Sequence, residues 1–245
     1  MSQLLGLSGL SRVYGALRAV DGVDLSLAAG ARHALIGPNG AGKTTLLHLV
    51  AGTIRPSAGR VLLAGRDVTR AGPARRNRLG IGRTFQHPAV LPSLSVLDNV
   101  VLGGWHRGGL PRWPGTRQRL LSRQALEWLD RIGLADLADQ PAGSLSHGQR
   151  RLLDTAVALA GSPRLLLLDE PAAGLTDKDT ERLLAVLTDL PADLALLLVE
   201  HDLAFVAALA DTATVLAAGR VLATGAPREV WELPSVRQAY WGVSE

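Results

Sequence analysis

At 245 residues and 47% hydrophobic content, the chain can bury one large core or two small ones. It has no cysteine, which excludes disulfides and thiolate metal sites, and neither a secretory leader nor an apolar run of 18 residues is visible, which argues against a membrane-spanning helix. The net charge of +4 is spread out, with its densest clusters at Arg75-Arg76-Asn77-Arg78 and Arg112 to Arg123. Neither forms a basic-aromatic platform, so solvated faces are expected and no nucleic-acid partner.

Val23, Leu25 and Leu27 alternate with Asp24 and Ser26, the period of a half-buried strand, and Ala29-Gly30 turns the chain. A second strand, His33 to Ile36, leads into Gly37-Pro38-Asn39-Gly40-Ala41-Gly42-Lys43-Thr44-Thr45, and a helix follows from Leu46. Strand, glycine turn and helix form the context in which G-x-x-x-x-G-K-[ST] cradles phosphates on backbone N–H groups. Lys43 supplies a compact charge for the outer phosphates, and the Thr44 hydroxyl is placed to ligate Mg²⁺. Only Lys43 and Lys178 are lysines in this arginine-rich sequence.

Val61 to Gly65 reads as a short strand. From about Pro88 to Ala158 the pattern turns helical, with Leu126, Leu129, Ile132 and Leu134 at approximate 3–4 spacing. Gly103 to Gly115, with Trp105, Pro111, Trp113 and Pro114, is expected to be a surface loop. Leu165 to Leu168 and Leu194 to Val199 read as strands buried on both faces. Thr214 to Leu216 and Val221 to Thr224 read as a hairpin about Ala218-Gly219, and the tail from Pro227 as helical or irregular.

The leucine strand ends in Asp169-Glu170. The first acid is suited to holding Mg²⁺, usually through water; the second is suited to orienting an attacking water. Leu145-Ser146-His147-Gly148-Gln149 precedes a helix whose Leu152, Leu153, Ala156, Val157 and Ala160 share one face, with Ser146 where an N-cap belongs. Here the chain strongly resembles the ATP-binding subunits of ABC transporters, whose signature is LSGGQ, with His147 in place of the first of its two glycines.

The resemblance implies an α/β fold: a P-loop NTPase cassette with a RecA-like mixed sheet core, an antiparallel β subdomain and a helical insert. One ATPase domain would then span 1–245, with residues 1–87 and 159–225 as nucleotide-binding core, 88–158 as the helical signature subdomain and 226–245 as a tail. It implies ATP and Mg²⁺ as cofactors. Tyr14 matches the aromatic that stacks on adenine, although alone it would read as a strand core residue. Gln86 matches the glutamine that touches Mg²⁺ and the water, and His201 the switch histidine near the γ-phosphate. Ala173-Gly174-Leu175-Thr176-Asp177 matches the D-loop, with Thr176 where aspartate is usual. Implied roles are catalytic for Glu170, His201, Gln86 and Lys43, nucleotide-binding for Tyr14, residues 37–45 and Ser146 to Gln149, and metal-binding for Thr44, Gln86 and Asp169.

The family acts as a head-to-tail dimer, homomeric or with a sister ATPase, in which the phosphate loop of one subunit faces Ser146 to Gln149 of the other. Transmembrane permease subunits are implied as partners, docking near Gln86 and residues 88 to 105, with a solute-binding protein further out. That places the chain at the cytoplasmic face of a membrane. Gly80 to His87, Pro171 to Asp177, Val199 to Asp202 and Val236 to Gly242 look like the subfamily that takes up branched-chain amino acids or urea. The lipopolysaccharide-export ATPases share the single-cassette layout. ABC ATPases acting on ribosomes or DNA usually carry two cassettes or a long coiled-coil insert, for which this chain has no room.

Overall fold

The computed structural model describes residues 3–84, 88–105 and 114–241. Strands β1 (Gln3–Tyr14) and β2 (Leu17–Ala28) pair antiparallel, and Val23, Leu25 and Leu27 are buried as their alternation requires. Next come β3 (Arg32–Ile36), α1 (Lys43–Ala51), β4 (Ala58–Leu63), β5 (Arg66–Asp67), α2 (Pro73–Arg78) and β6 (Ile81–Arg83). Helices α3 (Val96–Gly104), α4 (Pro114–Arg131) and α5 (His147–Ala160) precede β7 (Leu165–Asp169). The chain then alternates through α6 (Asp177–Thr188), β8 (Ala195–Val199), α7 (Leu203–Leu209) and β9 (Thr212–Ala217). It closes with β10 (Arg220–Gly225), α8 (Pro227–Glu232) and α9 (Pro234–Trp241).

Two sheets result. One is antiparallel, in the order β2-β1-β4-β5; the other runs β10-β9-β3-β8-β7-β6 and is parallel from β9 to β6, with β10 antiparallel at its edge. The mixed sheet is a wall between two apolar cores, because successive side chains of a strand point to opposite faces. Leu166, Leu168, Leu196 and Leu198 join the core shared with α3, α4 and α5. Leu165, Leu167, Leu197 and Val199 join the core shared with α1 and the antiparallel sheet. That two-sided burial explains why β7 needs an unbroken leucine run. The β9–β10 hairpin turns at Ala218-Gly219, whose φ values of 47° and 78° are those of a tight two-residue turn matched to strand twist.

Three expectations are corrected. Leu126 is 43% exposed; the buried face of α4 is Leu121, Ala125, Leu129 and Ile132. Leu134 is buried for a different reason: the helix ends in a Schellman motif, with Leu134 N–H donating to the Leu129 carbonyl at 2.8 Å and Gly133 N–H to the Asp130 carbonyl at 3.0 Å. Gly103 and Gly104 close α3 instead of opening a loop; a Cβ on Gly103 would stand 2.3 Å from the Val157 carbonyl, so α3 and α5 meet there at backbone distance. At the other end of that expected loop Pro114 and Gly115 begin α4, and residues 106–113 between lie outside the described residues.

The third correction is Arg76, expected on a solvated face and found only 1% exposed. Its guanidinium donates to the carbonyls of Leu49 (2.6 Å) and Val50 (2.7 Å) at the end of α1, and to those of Thr69 and Ala71. A helix end leaves carbonyls without intrahelical donors, and Arg76 supplies them from outside. Burial lowers its pKa to about 10, which still leaves it charged at neutral pH. Its neighbours Arg75 and Arg78 are exposed. Residues 52–83 hold eight arginines against a single aspartate, an excess larger than the net charge of the whole chain.

Candidate functional site

The glycine turn after β3 is wedged between the two sheets. Gly37 has φ 146° and Gly42 φ 100°; a Cβ on the first would stand 2.1 Å from the Leu216 carbonyl oxygen, and on the second 2.2 Å from that of Ala19. Both positions therefore require glycine. Gly219 N–H donates to the Ala41 carbonyl at 3.0 Å, so the β9–β10 turn braces the loop. Gly42 caps α1 without any side-chain hydrogen bond, which leaves the first-turn N–H groups of Lys43, Thr44 and Thr45 turned toward the cradle. Lys43 Nζ donates to the carbonyls of Gly37 (2.7 Å) and Pro38 (2.9 Å), curling over that cradle. Burial lowers its pKa, and the charges of Glu170 and Asp169 oppose the shift. The Tyr240 hydroxyl of α9 hydrogen-bonds the Gly37 backbone, and burial still pushes that hydroxyl up to about 12.

Beside the loop, the parallel strand β7 delivers Asp169, 1% exposed. Thr44 Oγ1 donates to its Oδ1 at a long 3.4 Å, while Oδ2 is buried with no hydrogen-bond partner among the described residues. Burial, and then the charge of Glu170, raises the Asp169 pKa. A buried carboxylate oxygen lacking a donor is a costly arrangement. A hydroxyl, a carboxylate and adjacent phosphate room form the oxygen-only donor set suited to a hard divalent cation.

Glu170 follows with φ 49°, the left-handed region that non-glycine residues seldom adopt. Its N–H donates to the Val199 carbonyl at 2.8 Å, and Arg151 Nη1 of α5 donates to its carbonyl at 2.8 Å. The turn aims its carboxylate toward His201, whose Nε2 lies 2.8 Å from Glu170 Oε1. With the carboxylate ionised, the imidazole nitrogen is the donor. Thr44, Asp169, Glu170 and His201 are thus brought together with Lys43 at the ends of β3, β7 and β8.

Ser146 to Gln149 stand apart. Among the described residues no hydrogen bond joins them to residues 37–45. Ser146 caps α5 in a reciprocal capping box: its hydroxyl accepts from Gln149 N–H at 3.2 Å, and Gln149 Oε1 accepts from Ser146 N–H at 2.9 Å. His147 is an ordinary helical residue, so this position asks for no glycine, and its ring faces Gly174. Thr176 caps α6 through Asp179, a task for which threonine and aspartate are both suited. Tyr14 is 44% exposed at the end of β1, not a core residue, with the Arg12 guanidinium 4.4 Å from its ring centre. Gln86 lies outside the described residues.

Two residues here escaped the sequence reading, Arg151 and Glu200. Arg151 directly precedes Leu152-Leu153 on the buried face of α5 and is only 7% exposed. Glu200 is 4% exposed directly after a fully apolar strand. A charge flanking an apolar run is the only sequence signal either one leaves. A separate cavity of about 630 Å³ opens between α2, β6, α3 and α5, bordered by Asn77, Arg83, Ala89, Asn99, Leu102 and Ala158.

The sequence profile of the ABC transporter family matches residues 20–173, from β2 through the loop after Glu170. The high-affinity branched-chain amino acid transport ATP-binding protein BraF of Pseudomonas aeruginosa is 35% identical over 250 residues, covering 98% of both chains. LivG of Escherichia coli, carrying the same description, is 36% identical over 253 residues and covers 99% of both. A crystal structure of an ABC transporter's ATP-binding cassette in its ADP conformation matches with a TM-score of 0.86 at 30% identity, over 99% of this chain and 100% of the other. With relatives of its own length aligned nearly end to end, this chain belongs to the ABC transporter family, as one of its ATP-binding, ATP-hydrolysing subunits.

Proposed function

We propose that this subunit powers uptake of branched-chain amino acids or a related small polar solute such as urea, through permease subunits at the cytoplasmic face of a membrane. No helix among the described residues is long and apolar enough to cross a membrane, so the path for the solute has to come from other chains. The 630 Å³ cavity, bordered by residues of α3 and by the strand that leads to Gln86, is where a permease segment would seat. Near-complete two-way alignment with BraF and LivG supports this class of solute.

The observation that carries the catalytic part is the 2.8 Å contact between Glu170 and His201 beside the phosphate cradle. The N–H groups of 37–45 and Lys43 would hold the phosphates, and Tyr14 would carry the adenine. Thr44 and Asp169, with Gln86, would hold Mg²⁺, which when bound neutralises phosphate charge. Glu170 accepts a proton from, or orients, the attacking water, and His201 donates toward the charge that grows on the γ-phosphate. Ser146 to Gln149 present a helix start whose partial positive charge suits the γ-phosphate of a second subunit.

The decisive variant is Glu170→Gln. It keeps the side chain's length and its contact with His201, so ATP binding should persist within a fewfold while turnover drops roughly a thousandfold, the loss typical of removing one acid–base group. Turnover close to wild type would overturn the assignment. The solute is tested by co-purifying the permease partners and measuring ATPase stimulation by binding proteins loaded with leucine, with urea or left empty.

A further inference from the structure

β8 ends by delivering Val199, Glu200 and His201 in succession, alongside the point where β7 delivers Asp169 and Glu170; Asp169 pairs with Val199 in register. Glu200 is 4% exposed, and among the described residues no arginine or lysine forms an ion pair with it. Its charge is met by backbone donors instead. Ala172 N–H donates to Oε1 at 2.9 Å, His201 N–H donates to Oε2 at 2.8 Å, and Asp202 N–H approaches Oε2 at 3.5 Å. One oxygen holds the loop that follows Glu170; the other holds the loop that carries His201.

These bonds close a ring. From Glu170 the chain passes through Pro171 to Ala172, crosses the Glu200 carboxylate to His201, and returns through Nε2 to Glu170 Oε1. A side chain that only filled space would need no charge here, and burying an unpaired carboxylate is among the less favourable choices a fold can make. Only a carboxylate accepts on both oxygens. An amide would turn its NH₂ group toward one of the two N–H donors, and aspartate is a methylene too short to span both loops.

We propose that Glu200 is a positioning residue for ATP hydrolysis, holding the Glu170 and His201 loops at one separation so that the imidazole stays on the carboxylate. The inference rests on the catalytic reading given above for Glu170 and His201. It deepens that reading by naming the group that sets their geometry.

The test uses the full chain with Mg–ATP. Wild-type turnover and its loss in Glu170→Gln check the underlying reading; with those in hand, the Glu200 variants bear on this inference alone. Glu200→Gln should lower kcat roughly tenfold to hundredfold, the cost of misplacing reacting groups by about an ångström. The KM for ATP should stay within about twofold, because the phosphate loop is untouched. In a His201→Ala background the same change should cost less than about threefold, since the two act through one contact. Glu200→Asp, which keeps the charge, should reproduce the kcat loss and serves as the second probe if the amide variant folds poorly. Unchanged kcat in both variants overturns the proposal. So does a loss that multiplies in full on top of His201→Ala, or one that appears as weakened ATP binding at normal kcat.

Discussion

His33 shows how a single buried side chain writes itself into the pH dependence of folding. It is 5% exposed on β3, with Nε2 2.9 Å from Thr214 Oγ1 on β9, and burial lowers its pKa to about 4. The unfolded chain binds that proton near pH 6.5, so between 6.5 and about 4 the unfolded state holds more protons. Stability therefore falls as pH falls through this window, by at most about 3 kcal/mol. His33→Gln keeps a partner for Thr214 and cannot titrate. Urea unfolding of the two proteins should give stabilities that converge on acidification; a constant gap from pH 6.5 to 4 would contradict this. Asp169, Glu170 and His201 were legible in the sequence because they cluster at the ends of two unbroken apolar strands, β7 and β8, and match the order of the family's landmarks. Glu200 was not, since its role depends on which amides the fold brings to it.

Among elements, α2 shows where local pattern misleads. Four polar residues in a row read as solvated surface, yet Arg76 points inward and closes the end of α1, the helix that the phosphate loop opens. Replacing it with methionine keeps bulk and removes the donors, leaving the carbonyls of Leu49, Val50, Thr69 and Ala71 unmatched. The expected loss is about 3–5 kcal/mol in urea unfolding, at the upper end for one substitution. Arg76→Lys should recover only part, because an ammonium cannot reproduce a planar fork. A loss below about 1 kcal/mol would mean that water replaces the guanidinium. Strands fared better than helices in the sequence reading. A two-sided leucine run has one structural meaning, whereas in α4 the choice between Leu126 and Leu121 depends on which neighbouring helix is present. The expected start of a loop at Gly103 was wrong because glycine there serves close contact with α5, and the sequence alone does not distinguish that use from a turn.

For the molecule as a whole, the separation of Ser146 to Gln149 from the phosphate cradle bears on assembly. A site that draws its two halves from different copies predicts complementation. Lys43→Ala spoils the cradle and Ser146→Arg spoils the opposing helix start, so each variant alone should be nearly inactive. Mixed in equal amounts they form some dimers that hold one intact site, and ATPase activity should reappear. Activity that stays at the sum of the separate variants would show that each chain works alone or only beside a sister protein. The overall architecture was legible because its landmarks recur in order along the chain. What faces Ser146 was legible only through the family resemblance, because within one chain no hydrogen bond among the described residues joins Ser146 to Gln149 to residues 37–45.

The crowding of arginine into residues 52–83 has a practical consequence at the bench. Charge is unevenly distributed along the chain, residues 52–83 being strongly cationic and the rest mildly anionic, although the total charge is modest. Polyanions such as heparin, or stray RNA from a cell extract, should cling to the exposed arginines of that segment at low ionic strength and let go as salt rises, regardless of their sequence. Such adhesion would report the lopsided charge and not a genetic role for the protein.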